Sequence, residues 1–175
     1  MNDGAAERAN APNLILAGFM GTGKSTVGRL AAQQLGLRFV DTDAVVEATA
    51  GMSIPALFAR GEAYFRRQEA AICRHVARAR GQVIATGGGA LLDPATRVAL
   101  EASGVVVCLT ASLTTIMARV GDSAARPLFR DRKQVAALLA ARQTHYDALP
   151  HHVDTTGKSV EAVADEVIAL WRRHK

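Results

Sequence analysis

The stretch Gly18-Phe19-Met20-Gly21-Thr22-Gly23-Lys24-Ser25 fills the pattern GxxxxGK[ST], whose glycines let the backbone curl around a phosphate with several N–H groups turned inward. The lysine of this pattern reaches the β- and γ-phosphates, and the serine hydroxyl is placed to hold Mg2+. A helix that begins at the lysine adds a dipole end of roughly half a positive charge. Gly21, Thr22, Gly23, Lys24, Ser25 and Thr26 are therefore candidate ATP-binding residues, and Mg-ATP or a related triphosphate is the expected ligand.

The same cradle serves kinases, GTPases, motor ATPases and nucleotide-binding regulators, so residues further along must separate them. An NKxD base-reading motif is absent, and no apolar strand pattern ends in Asp-Glu. Instead Asp41-Thr42-Asp43 places two carboxylates two residues apart on an extended segment, where both point the same way. One could assist Mg2+ through water, and the other could accept a hydrogen bond from a substrate hydroxyl and orient or deprotonate it. Gly87-Gly88-Gly89 exposes consecutive N–H groups and lets a ligand approach the backbone closely. Taken singly, Arg66 and Arg142 read as helix-surface arginines.

Such residues need an alternating β/α chain to hold them. Leu14-Ile15-Leu16-Ala17 is a continuous apolar run closing in Gly18, the pattern of a strand buried on both faces of a parallel sheet. Val27, Leu30, Ala31 and Leu35 then recur at helical spacing, and Gly36 supplies a stop. The pattern predicts a short strand over 38–41, helices near 43–50 and 53–80, the second broken near Gly61, and a strand over 82–86. Asp93-Pro94 opens a helix to about Ala102, a strand follows over 105–109, and Ser112 can cap a helix to Val120. Residues 121–133 lose apolar periodicity and carry Arg126, Arg130, Arg132 and Lys133, so a mobile basic lid is expected there. A helix over 134–148, a strand near Val153 and a helix from Ser159 complete an α/β sandwich around a parallel sheet.

The 175 residues suit one domain, expected over 13–175 behind a disordered tail over 1–12. That tail lacks the basic start and apolar stretch of a signal peptide, and no apolar run approaches the ~18 residues of a membrane span. Cys73 and Cys108 sit among apolar neighbours outside any metal-binding spacing, as buried free thiols in a reducing cytoplasm would. The charge of +5 arises from 21 Lys and Arg against 16 Asp and Glu. With aromatics at 5% and no basic run longer than a pair, small anions such as ATP explain that excess better than nucleic acid. A monomer without membrane or nucleic-acid partners is expected.

Together these pieces resemble the shikimate kinase family, from about Asn13 to Thr155. The match takes in Gly18 to Thr26, Asp41-Thr42-Asp43, Gly51-x-Ser53-Ile54, Gly61-Glu62-x-x-Phe65-Arg66-x-x-Glu69, Gly87-Gly88-Gly89, Arg126-Pro127-Leu128, Arg142-x-x-x-Tyr146 and Val153-Asp154-Thr155. Each later motif is weak alone, whereas their order and spacing together are specific. The resemblance implies a three-layer P-loop kinase fold with a five-stranded parallel sheet, helices on both faces and a lid. It also implies transfer of the γ-phosphate of ATP to the 3-hydroxyl of shikimate, in aromatic amino-acid and chorismate biosynthesis.

By that similarity Asp43 grips substrate hydroxyls and is the candidate base, Arg66 and Arg142 hold the substrate carboxylate, and Gly88 contributes its backbone N–H. Lys24 and, from the lid, Arg126 act on the ATP phosphates, Arg119 lies near the adenine, and Ser25 with Asp41 serves Mg2+, the latter through water. An arginine fork matches a carboxylate bidentately, which suits these roles. One residue is missing before Gly61 relative to the family, and Phe129 stands where a second leucine is usual. The competing readings are a gluconate-type kinase, which would not need Arg66, Gly88 and Arg142 together, and an inactive nucleotide-binding regulator. Intact Lys24, Ser25 and Asp43 speak against the latter.

Overall fold

All five residues of strand β1 (Asn13–Ala17) are buried, which leaves the strand no solvent face and puts it at the centre of the sheet. The computed structural model describes residues 3–121 and 131–175. In it β1 pairs in parallel with β3 (Gln82–Ala85) on one side and β4 (Gly104–Thr110) on the other. Beyond them lie β2 (Arg38–Asp41) and β5 (His152–Asp154), giving a five-stranded parallel sheet of order β2-β3-β1-β4-β5. This is the α/β sheet that the sequence pattern and the resemblance lead one to expect.

Side chains alternate across the sheet and divide the core in two. Leu14, Leu16, Val83, Val107 and Leu109 pack under α2 (Lys24–Leu35) and α9 (Val160–His174) through Val27, Ala31, Val163, Val167 and Trp171. Ile15, Ala17, Ile84, Val106 and Cys108 point the other way, against α5 (Glu62–Val76), α6 (Pro94–Ser103), α7 (Leu113–Gly121) and α8 (Arg132–Asp147). A third, smaller cluster of Val46, Leu57 and Phe65 joins α3 (Thr42–Ala50), α4 (Ile54–Ala59) and α5. Asp41, Ser53, Asp93 and Ser159 each accept a hydrogen bond from a first-turn N–H of the helix that follows.

Element boundaries differ in places from the sequence expectation, most at α5 and on either side of residues 122–130. Helix α5 stops at Val76, short of 80, because Arg78 and Ala79 turn their N–H groups onto His75 and Val76 and the Gln82 side chain donates to the Val76 carbonyl at 2.9 Å. The two ends of the stretch expected as a lid, 121–133, are helical: Gly121 belongs to α7, and α8 already starts at Arg132 because the Asp131 side chain accepts from Lys133 N at 2.9 Å. Residues 122–130, with Arg126, lie outside the described residues.

The expected disordered tail is instead helix α1 (Asp3–Asn10). Its alanines, Glu7 and Arg8 are good helix formers, but packing decides. Gly81 N donates to Ala11 O at 2.8 Å, and a Cβ on Gly81 would stand 2.5 Å from the Arg8 carbonyl. Trp171 Nε1 donates to Pro12 O at 2.9 Å. The chain entering β1 is thus tied to the turn before β3 and to helix α9.

Asn13 does the same job with its side chain. Fully buried, it donates to Ala79 O at 2.7 Å and Ser103 Oγ at 3.3 Å and accepts from Gln82 N at 3.0 Å. Replacing it by Ala leaves the Gln82 N–H without that acceptor. The expected loss for Asn13→Ala is about 2–4 kcal/mol, read as a lower urea midpoint with unchanged slope.

Candidate active site

The phosphate loop leaves the end of β1 through Gly18, whose φ of 123° and direct approach to the Leu109 carbonyl of β4 exclude any Cβ. Lys24 is buried, and its Nζ donates to Gly18 O and Phe19 O at 2.8 Å each, so the ammonium ties together the loop it serves. Thr22 Oγ1 adds a bond to Phe19 O at 2.8 Å. Gly21 lies against α7, where a Cβ would be 2.8 Å from Val120 Cγ2. Arg119 of α7 donates to Gly21 O at 3.2 Å, to Thr155 Oγ1 at 2.9 Å and to Thr155 O at 3.1 Å. The loop, α7 and the end of β5 are held as one unit.

On the neighbouring side β2 delivers Asp41 as the cap of α3. Its Oδ2 accepts from Ser25 Oγ at 2.7 Å and its Oδ1 from Asp43 N at 3.1 Å, so Ser25 is oriented by the residue expected to share its metal role. Asp43, in the first turn of α3, lies under the glycine loop: a Cβ on Gly87 would come 2.6 Å from Asp43 Oδ1 and would touch Glu69 Oε1. Glu69 is 3% exposed and accepts from Arg66 NH1 at 2.6 Å, while Glu62 accepts from Arg66 NH2 at 3.3 Å. Burial raises the Glu69 carboxyl above its ordinary range, opposed by the Arg66 charge and hydrogen bond and reinforced by Asp43.

Each residue of Gly87-Gly88-Gly89 faces a different charged side chain. Gly87 meets Asp43 and Glu69, a Cβ on Gly88 would be 3.6 Å from Arg142 NH1, and a Cβ on Gly89 would overlap Arg66 NH1. The loop's own polar groups are largely spoken for: Gly87 N donates to Thr42 Oγ1 at 3.1 Å, Gly87 O accepts from Ala90 N, Gly89 O accepts from Leu92 N, and Gly88 O accepts from Tyr146 OH at 2.7 Å. The N–H groups of Gly88 and Gly89 have no hydrogen-bond acceptor among the described residues. Arg142 stands over the Phe19 ring, 5.9 Å from its centroid.

These groups surround a cleft of about 400 Å3 at the carboxyl ends of the strands, lined by the phosphate loop, Asp41, Asp43, Gly88, Arg119 and Thr155. It places a phosphate cradle beside a carboxylate base candidate and two guanidiniums, an arrangement suited to moving a phosphoryl group onto a hydroxyl of an anionic acceptor. The family model described as shikimate kinase matches residues 20–172. The chain belongs to the shikimate kinase family.

A shikimate kinase of Geobacter sulfurreducens is 46% identical over 93% of this chain and 92% of its own length. One of Caldanaerobacter subterraneus is 40% identical over 93% and 98%. A shikimate kinase of Acinetobacter baumannii, solved with shikimate, superposes with a TM-score of 0.88 at 31% identity, covering 95% of this chain and 96% of its own. A gluconokinase of Sinorhizobium meliloti shares the fold at a TM-score of 0.57 and 20% identity, covering 94% of each chain.

Of the residues singled out from sequence, Gly21 to Thr26, Asp41, Asp43, Gly88 and Arg119 line one cleft, and Arg66 and Arg142 meet at the glycine loop beside it. Arg126 lies outside the described residues. Sequence reasoning assigned no role to Glu69, although its spacing three residues after Arg66 on a helix signals a pair. It named Thr155 in a motif without a role and passed over Lys158, both on the cleft wall just beyond β5, a place that marks them as ligand-side.

Because Glu69 is raised above its ordinary value of 4.5, the folded protein holds its proton more tightly than the unfolded chain does. Its contribution to stability is full below pH 4.5 and is lost as pH rises through the raised value. In Glu69→Gln the decline of the urea midpoint above pH 4.5 should flatten, even though Arg66 loses its partner.

Proposed function

We propose that this chain catalyses transfer of the γ-phosphate of ATP to the 3-hydroxyl of shikimate, giving shikimate 3-phosphate and ADP. The observation that carries the reading is the convergence of Arg66, Arg142 and Asp43 on one side-chain-free turn beside the phosphate loop. Two guanidiniums suit the acceptor's carboxylate, and the N–H groups of Gly88 and Gly89 suit its oxygens. Asp43 orients a hydroxyl and takes its proton as the oxygen forms a bond to the γ-phosphorus. The bond from that phosphorus to the β,γ-bridging oxygen breaks, and ADP leaves with the electron pair. Lys24 exchanges its loop carbonyls for phosphate oxygens and stabilises the charge that builds there.

Ser25 Oγ and Asp41 Oδ2, 2.7 Å apart, are hard oxygen donors of the kind a magnesium ion takes, with the remaining positions left to phosphate and water. The ion would neutralise phosphate charge; the protein's part is to hold Ser25 in place through Asp41. The two buried thiols, Cys73 and Cys108, are in keeping with a cytoplasmic setting. Among the described residues no helix is long and apolar enough to cross a membrane.

A coupled ADP-release assay with Mg-ATP and shikimate, gluconate or no acceptor tests the reading. Shikimate-dependent turnover is expected, abolished by Lys24→Ala and lowered roughly 10^2- to 10^4-fold by Asp43→Asn. Arg142→Ala should raise the shikimate KM and leave the ATP KM near wild type. Turnover with gluconate alone, or an Arg142→Ala defect confined to ATP, overturns it.

A further inference from the structure

Thr42 lies between the two acidic residues of the site and is fully buried, so it touches neither solvent nor the cleft. Its hydroxyl accepts from Gly87 N at 3.1 Å across 45 residues of chain.

Thr42 therefore joins two substrate-facing elements, the first turn of α3 with Asp43 and the glycine loop with Gly88, beside the buried Glu69 of α5 that meets Gly87. The spacing among them has little slack, since Gly87 stands so near Asp43 and Glu69 that a methyl group could not enter. The other end of the loop is tied by Tyr146 through Gly88 O. No other acceptor for the Gly87 N–H is found among the described residues.

We infer that Thr42 is a positioning residue, whose hydroxyl sets the distance between the Asp43 carboxylate and the N–H groups of Gly88 and Gly89 that meet the acceptor. This rests on the proposed function, because it assumes that those two groups act on the same small molecule. Misplacing reacting groups by about 1 Å is enough to slow a reaction roughly 100-fold, while nucleotide binding, which uses a different loop, is spared.

The test compares Thr42→Val, which keeps the shape and removes the acceptor, Thr42→Ala, which removes both, and Thr42→Ser, which keeps the hydroxyl. Wild-type turnover on shikimate first checks the functional reading by itself. Relative to that, Thr42→Val and Thr42→Ala should lower kcat/KM for shikimate roughly 10- to 100-fold. The Kd for MgADP should stay within about twofold, and Thr42→Ser should recover to within about threefold. Exchange of the Gly87 amide proton, followed by NMR without any substrate, should accelerate at least about tenfold in Val and Ala but not in Ser. If Val does not fold, Ala is read in the same way. Unchanged kcat/KM in the hydroxyl-free variants, a Ser variant as impaired as Val, loss of MgADP binding in parallel, or unaltered Gly87 exchange overturns the inference. Absence of shikimate turnover in the wild type with accelerated Gly87 exchange would overturn the functional reading and leave the structural joint standing.

Discussion

Two carboxylates and two guanidiniums gather against one turn of backbone, where a Cβ at either end would run into them, and this close approach governs the rest of the molecule. Asp43 and Glu69 press on Gly87 and Arg66 on Gly89, with Arg142 at ordinary contact distance from Gly88 between them. The opposite charges offset one another, so that burying Glu69 to 3% exposure is tolerable beside Arg66. Three elements far apart in sequence, α3, α5 and α8, must reach the same turn, and only a rigid frame can bring them there.

The parallel sheet is that frame. Because all strands run the same way, their carboxyl ends share one edge, and the loops that leave β1, β2, β3 and β5 open onto the same cleft. The order β2-β3-β1-β4-β5 puts the phosphate loop after the central strand, with the acidic segment of β2 and the glycine turn of β3 to one side and Arg119 and Thr155 to the other. Asn13, Gln82 and Trp171 fix the opposite edge, where no chemistry takes place, by satisfying buried polar groups between strands and helices.

Much of this was legible in the sequence because its signals are local. The run Leu14 to Ala17 and the helical spacing of Val27, Ala31 and Leu35 reveal period and burial directly, and Gly18 to Ser25 carries its chemistry within eight residues. What stayed hidden depends on contacts between distant segments. Helix α1 packs its backbone against Gly81, and Trp171 ties the chain just after it through Pro12, contacts that no local pattern announces. Glu69, Tyr146 and Thr42 show their roles only once α5, α8 and α3 are seen closing on the glycine turn. The triple glycine was readable as an approach site, but not that each of its members serves a different charge.

The two hydrogen bonds that Lys24 makes to its own loop bear on how much the ammonium itself adds to the hold on a phosphate. A ligand that takes the ammonium displaces the Gly18 and Phe19 carbonyls from it, so the exchange yields only the small net gain of one hydrogen-bond set for another, about 1 kcal/mol apiece. The N–H groups of the loop and the start of α2 are then left to supply most of the attraction. The lysine serves first as an internal brace: its charge keeps the loop curled, so the cradle is already shaped before an anion arrives.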